Sequence, residues 1–158
     1  MKYENLLIEN SNIDVVETSS LPHFQSGLYY EGTIYIKENM SAYKKHETLA
    51  EEIAHHKITY GNILDQSKIL NRKFEKKAKR KAYESVISIQ GIIDAYEHGV
   101  HNLHEMSIFF EVTESFVQDT INHYKQKYGL MVRYKNYNIR FEPLTIYKDI
   151  QGRNYDEI

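Results

Sequence analysis

The 158-residue chain contains no cysteine, and it has almost no excess of charge of either sign. Without cysteine it can form neither disulfides nor thiolate metal sites, so any metal must be held by histidine, aspartate or glutamate. The 20 basic side chains are matched by 22 acidic ones, which gives a formal net charge of −2. This balance provides no global electrostatic signal for binding nucleic acid or a membrane surface.

Long hydrophobic runs, internal repeats and low-complexity blocks are also missing. Residues 1–5 lead into no extended apolar segment, so no signal peptide or membrane span is expected and the chain is predicted to be cytoplasmic. Hydrophobic residues still make up 41% of the sequence and aromatic residues 13%, which is enough for a substantial core. The length suits one domain, or a small catalytic core with a helical appendage.

The most informative stretch is residues 49–56, Leu-Ala-Glu-Glu-Ile-Ala-His-His, in which two carboxylates precede two imidazoles. Residues four apart share one face of an α-helix, so Glu51 and His55 are expected to point the same way, with Glu52 beside them. A divalent metal requires such convergence of donors, together with a nearby base for a bound water. The stretch is a variant of the His-Glu-x-x-His zinc helix, with Glu51 in the first position. A polar helix face with two ordinary Glu–His pairs is the alternative, and the motif alone leaves both open.

Alternating hydrophobic residues and turn signals predict the elements before this motif: a helix at 2–10, a strand at 13–18, and a hairpin with strands at 28–30 and 33–36. The dipeptide Glu31-Gly32 between two alternating runs favours the hairpin. Ser41 is the expected N-cap of the motif helix, which is predicted to run from about residue 42 to about residue 57. An edge strand beside such a helix can receive an extended peptide substrate. His46 projects away from the motif face and is expected at the surface.

A second, strongly basic helix is predicted from about residue 66 to about residue 87. One face stays apolar through Leu70, Phe74, Ala78 and Ala82. Glu75 lies beside this apolar face, which is expected to turn its side chain inward. The lysines and arginines are interpreted as a solvated helix face, with binding of an acidic surface as the alternative. Local charge of this kind does not make a nucleic-acid groove.

Shorter helices are predicted from residue 88 onward, at about 90–97 and 103–110, before a longer helix that Thr113 caps. The short helix, the turn at residues 111–113 and the longer helix resemble a helix-turn-helix. The last helix lacks the Arg and Lys cluster of a groove reader. A protein-docking or structural role is therefore favoured over DNA binding.

The C-terminal segment predicts a second hairpin. Residues 130–134 and 139–141 flank Asn136-Tyr137, and the hairpin is expected to end at Pro143. The tail after Asp149 is expected to be frayed.

Several of these segments resemble phage-type members of the ImmA/IrrE metallopeptidase family. The resemblance covers roughly residues 3–130 and is specific mainly in the order and spacing of its parts. Those parts are the hairpin segment 32–36, the motif 49–56, the turn 61–65, the pattern Asn71-Arg72-Lys73-x-Glu75-x-x-Ala78-x-x-x-Ala82, and the segment 111–117.

The resemblance implies an α+β, gluzincin-like fold. Residues 1–87 would form a small zincin-like metallopeptidase core, made of a short antiparallel or mixed sheet, the metal-binding helix and the helix that follows it. Residues 88–158 would form a helical, helix-turn-helix-like part that docks a substrate or partner and ends in a β-hairpin.

Site roles carry over from the family residue by residue. Glu52 corresponds to the general base, His55 to a metal ligand, and Glu75, on the following helix, to the third ligand. Glu51 occupies the position of the family's usual first histidine and is taken as the remaining ligand. Two further candidates for the site, close in sequence, are His56 and Tyr60.

The implied cofactor is one divalent metal ion. Zinc is expected first, but a Glu-His-Glu set is harder and more anionic than His-His-Glu and admits manganese or another hard cation. The added negative charge also weakens the Lewis acidity of the metal, so that it lowers the pKa of a bound water less.

The resemblance also implies a function, because family members near phage and mobile-element immunity regions relieve repression by cleaving a helix-turn-helix repressor. The chain is therefore predicted to be a metal-dependent endopeptidase that acts as an anti-repressor, with such a repressor as its partner. One alternative is a non-catalytic protein that binds a repressor without cutting it. A DNA-binding regulator using residues 103–128 is the other, although neither direct nucleic-acid binding nor membrane association is expected.

Overall fold

A computed structural model of the chain describes the backbone of residues 1–60 and 68–149 and the side chains of residues 1–59 and 72–149. The N-terminal half contains three helices and three strands in this description: α1 (Lys2–Glu9), β1 (Asp14–Thr18), β2 (Gly27–Tyr30), β3 (Thr33–Lys37), α2 (Ala42–Tyr60) and α3 (Lys68–Val86). The remaining elements are α4 (Ile89–Glu97), α5 (Leu103–Phe110), α6 (Glu114–Tyr128), β4 (Met131–Tyr134), β5 (Tyr137–Phe141) and β6 (Leu144–Lys148). The predicted α+β class is confirmed.

The first sheet has the strand order β1-β3-β2, with β1 parallel and β2 antiparallel to β3. The predicted hairpin turn is confirmed: Glu31 and Gly32 have φ values of 48° and 83°, which suit the right-handed twist of the two strands. This strand order leaves β2 at one edge of the sheet. Strand β2 also contacts α2.

Helix α2 lies between this sheet and α3. Its Leu49 and Ile53 pack into one buried cluster with Ile34 and Ile36 of β3. A second buried cluster joins Ala54 and Ile58 of α2 to Ala78 of α3. The alanines leave little side-chain volume between the two helices, which allows residues that flank this contact to meet across it.

Side-chain caps mark the starts of helices α2 and α6, as the sequence predicts. The backbone N–H of Lys44 donates to the Ser41 hydroxyl over 3.2 Å, at the start of α2. Thr113 similarly caps α6, where its hydroxyl accepts from the N–H of Phe116. Helix α5, the turn at 111–113 and α6 follow each other as the sequence indicates.

A separate hydrophobic cluster extends from Ile87 to the terminal sheet and includes Val117, Tyr124 and Ile139. Helix α3 contacts both α2 and α6, so it connects this cluster to the one that contains Ala54, Ile58 and Ala78. The division of the chain at residue 87 stays a prediction.

The terminal sheet is larger than the predicted hairpin. Strand β6 pairs antiparallel with β5 after the turn at Pro143, and its Leu144 and Ile146 pack on the core. The expected frayed tail lies outside the described residues. None of the helices in the described ranges combines the length and apolarity that are needed to cross a membrane.

Candidate metal centre

An open cleft of about 950 Å³ lies between the edge strand β2 and the helices α2 and α3. The segment 24–31 forms one wall. The opposite wall carries most of the candidate site residues, together with two threonines and a lysine: Lys44, Thr48, Glu51, Glu52, His55, Thr59 and Glu75. The cleft therefore brings three carboxylates and one imidazole to a single surface.

His55 and Glu75 are in direct contact across the α2–α3 interface. The distance from His55 Nε2 to Glu75 Oε2 is 3.2 Å. The His55 side chain is 17% exposed and that of Glu75 is 60% exposed, so the pair lies at the rim of the cleft. The prediction that Glu75 would turn inward is wrong, because more than half of its side chain is exposed at this rim.

The pKa values of this pair are coupled. Burial lowers the pKa of His55, but its hydrogen bond to Glu75 and the carboxylates of Glu51 and Glu52 outweigh burial and raise it overall. The hydrogen bond from His55 lowers the pKa of Glu75. The imidazole therefore carries positive charge more readily than usual, which shows the negative potential of its surroundings.

Glu52 is the buried carboxylate of the cleft, with 9% of its surface exposed. Its environment depends on Gly27 of β2. A Cβ atom at Gly27 would lie 2.6 Å from Cγ2 of Thr48 and 3.2 Å from Oε1 of Glu52, so only glycine lets the strand approach α2 this closely. The strand and the helix together exclude solvent from the Glu52 carboxylate.

Burial raises the pKa of Glu52 to about 7. The positive charge of His55 opposes this shift, while the carboxylates of Glu51 and Glu75 add to it. A carboxyl group with a pKa near neutrality can both accept and return a proton, as a general base and then a general acid must.

Glu51 lines the same cleft but takes part in no hydrogen bond or ion pair with any other described residue. Burial raises its pKa, and the positive charges of Lys79 and Lys44 oppose that shift. Glu51 is therefore close enough to influence His55 electrostatically, but it does not join the contact between His55 and Glu75.

The two additional candidates are placed differently. His56 Nδ1 lies 2.9 Å from the hydroxyl of Tyr29, and the two rings meet edge to face. His56 thus contacts β2 and is not part of the cleft lining. The side chain of Tyr60 is outside the described residues.

The donor chemistry of the cleft suits a divalent cation. Three carboxylates and a histidine that is paired to one of them form an acidic surface, which bound positive charge would neutralise. Within the described ranges, however, no group of three His, Asp or Glu side chains already has the arrangement that holds a metal ion. Of the three predicted ligands, the structure brings only His55 and Glu75 into contact.

Two residues next to the motif belong to the architecture of the site, and sequence reasoning missed both. His46 was expected at the surface but is buried, with its Nδ1 lying 2.9 Å from the backbone carbonyl oxygen of Glu111. Glu47 is also buried and contacts Thr113. Both contacts are long-range in sequence, and no local pattern indicates them.

A buried carboxylate beside an imidazole–carboxylate pair in an open cleft is compatible with metal-dependent hydrolysis. The chain belongs to the Peptidase_M78 family. Residues 8–122, more than half of the chain, match the family's IrrE N-terminal-like domain. The matched segment includes both helices of the cleft and confirms the resemblance found in the sequence. No curated protein and no solved structure gives a significant match to the chain. Family membership indicates a metallopeptidase-type function and implies a metal cofactor in general terms.

Proposed function

We propose that the protein is a metal-dependent endopeptidase that hydrolyses a peptide bond in a helix-turn-helix phage or mobile-element repressor. The observation that carries the enzymatic part is the contact between His55 and Glu75 beside the buried carboxylate of Glu52. The family match supports peptide hydrolysis. The choice of a repressor as substrate rests on the likeness to phage-type ImmA/IrrE sequences.

In the proposed mechanism Glu51, His55 and Glu75 would hold one divalent metal, with zinc as the first candidate and manganese or another hard cation as the second. When bound, the metal supplies Lewis acidity, which lowers the pKa of a water molecule and polarises the peptide carbonyl. The Glu52 carboxylate would accept a proton from an attacking water molecule as the water oxygen bonds to the carbonyl carbon. Protonated Glu52 then returns the proton to the leaving amine nitrogen.

Strand β2 is the proposed binding surface for the substrate backbone. It is an edge strand, no described strand pairs with its outer edge, and its residues line the cleft. An extended peptide can add to such an edge through main-chain hydrogen bonds. This placement would bring the peptide alongside Glu52, because Gly27 of the same strand contacts that side chain.

Hydrolysis is tested with purified protein, added metal and a purified helix-turn-helix repressor. Replacing Glu52 by Gln preserves shape but removes the base, so cleavage is expected to slow by roughly 10²–10⁴-fold. The matched control is Glu38→Gln, which changes an exposed carboxylate outside the cleft and is expected to leave the rate unchanged. Unchanged cleavage by the Glu52→Gln variant would exclude the proposed mechanism.

A non-catalytic regulator on the same fold is the second candidate. The observation that favours it is that Glu51 remains apart from the contact between His55 and Glu75. Metal content of the purified protein, measured by mass spectrometry after supplementation, separates the two. A stoichiometric metal that is lost in His55→Ala but kept in Glu38→Ala supports the peptidase. Absence of metal from the wild type, with retained repressor binding, supports the regulator.

A further inference from the structure

Helix α3 carries cations along the face that is turned away from α2. They occupy two rows in which successive residues are four apart, so each row runs nearly parallel to the helix axis. We refer to these residues as the basic stripe: Arg72, Lys76 and Arg80 in one row, and Lys73, Lys77 and Lys81 in the other.

All six side chains of the basic stripe are exposed, and none forms an ion pair with any other residue in the described part of the chain. Like charges four apart repel each other and destabilise a helix. Other lysines in the structure do find carboxylates: Lys44 with Glu47, Lys45 with Glu17, and Lys127 with Glu84. Six such cations lie together on this one helix, although the chain as a whole is slightly acidic.

The C-terminal part of the stripe borders a shallow groove of about 600 Å³ between α3 and α6. Lys77, Arg80 and Lys81 line one side of it, and Lys127 lines the other. Glu84, the carboxylate among the described lining residues, is already paired with Lys127 at 2.6 Å and with His123 at 2.9 Å. The groove thus has a continuous positive border.

We propose that this surface docks an acidic helix of a partner protein, with carboxylates repeated four residues apart. Each step of four residues rises about 6 Å along a helix, so such carboxylates have the same spacing as the cations in each row. The stripe from Arg72 to Lys81 rises about 14 Å, which corresponds to a partner segment of between two and three helical turns. The proposal concerns binding alone and does not depend on whether the partner is cleaved.

A protein helix fits this surface better than nucleic acid does. Among the described residues, the groove lining includes no Phe, Tyr or Trp on which bases could stack. The stripe is also short, and the carboxylate of Glu75 lies on the neighbouring face of α3, where a longer polyanion would meet the acidic cleft.

Binding is measured with the full-length protein and a fluorescent alanine-based peptide whose glutamates lie four residues apart. The stripe variant combines Lys73→Glu, Lys77→Glu and Lys81→Glu. The control variant, with the same change in net charge, combines Lys57→Glu, Arg140→Glu and Lys148→Glu, which alter exposed cations outside the basic stripe. At low ionic strength the stripe variant is expected to bind roughly tenfold more weakly than the wild type, and the control variant within about twofold of it. Circular dichroism checks that both variants remain folded.

Two further probes determine what the stripe recognises. A peptide of identical composition with its glutamates scattered around the helix is expected to bind more weakly than the ordered peptide. Duplex DNA is expected to lose affinity equally in the stripe variant and in the control variant, because both have the same change in net charge. No binding of the ordered peptide, equal losses in the two charge variants, equal binding of the two peptides, or tighter stripe-dependent binding of DNA would each overturn the proposal.

Discussion

The carboxylate of Glu47 accepts two hydrogen bonds from Thr113, one from its backbone N–H at 3.0 Å and one from its hydroxyl at 2.8 Å, although 66 residues separate them. Glu47 lies on the helix that carries the candidate site, and Thr113 begins α6. The adjacent His46 makes a second contact that is long-range in sequence, from its Nδ1 to the backbone carbonyl oxygen of Glu111. These contacts fix the site helix against the turn between α5 and α6.

Removal of this contact is expected to destabilise the fold. Glu47→Ala leaves the N–H of Thr113 without its carboxylate partner, and charge-assisted bonds of this kind are worth about 2 kcal/mol. In a double-mutant cycle with Thr113→Ala, measured by urea denaturation, a coupling energy of about 2 kcal/mol is expected. Thr113→Ser, which keeps the hydroxyl, is the control and is expected to preserve most of the coupling. Additive effects of the two alanine substitutions would show that the hydrogen bond from the Thr113 hydroxyl contributes nothing.

The close approach between β2 and α2 gives a second prediction. Gly27→Ala is expected to displace the strand from Thr48 and Glu52, because its Cβ would lie 2.6 Å from Thr48 Cγ2. Stability should fall by about 1–3 kcal/mol, as for other overpacked sites, and any metal-dependent hydrolysis should fall with it. Adding Thr48→Ser removes the nearer clashing atom and is expected to restore part of both losses. A Gly27→Ala variant with wild-type stability and activity would contradict this account of the strand position.

Glu52 should make the metal-free protein less stable as pH rises. Its pKa is about 7 in the folded chain against an ordinary 4.5, so between these values the folded state binds more protons than the unfolded state. The free energy of unfolding therefore falls through this interval and levels off above it. In the presence of a chelator, Glu52→Gln is expected to remove this loss and to gain about 3 kcal/mol at most above neutrality, with no gain near pH 4. Glu38→Gln, at an exposed carboxylate, is the control. An unaltered pH dependence in Glu52→Gln would refute the burial argument.

The spacing of α2 and α3 gives a fourth prediction. Ala78 is fully buried between these helices, so Ala78→Leu should force them apart at a cost of about 1–3 kcal/mol. The contact between His55 and Glu75 spans the same interface, and metal affinity is expected to fall as well. Lys76→Leu adds a similar side chain at an exposed position of α3 and should change neither quantity. Unchanged metal binding in a destabilised Ala78→Leu variant would show that Glu75 is not a ligand.

Local signals accounted for much of the fold. The turn at Glu31-Gly32 and the caps at Ser41 and Thr113 depend on a few adjacent residues, and the structure has them as predicted. Strand β6 was missed because its stability comes from pairing with β5, and the proline before it indicated an ending rather than a turn.

The same distinction between local and long-range signals applies to the candidate site. Helical periodicity was enough to place Glu51, Glu52 and His55 on one helix beside the cleft. The burial of His46 and the exposure of Glu75 could not be predicted, because each depends on which surface of a distant element packs nearby. Gly27 gave no signal for the same reason, since its close contact is with a helix that begins 15 residues later.

The position of β2 at the edge of its sheet has a consequence for what controls the proposed reaction. A segment that pairs with an edge strand must itself be extended, whereas most of a helix-turn-helix repressor is helical. The scissile segment would therefore have to leave its helix before it could enter the cleft, and the free energy of that local opening would set the fraction of repressor open to attack. Conditions or ligands that favour local opening of the repressor would then increase its cleavage without any change in the peptidase.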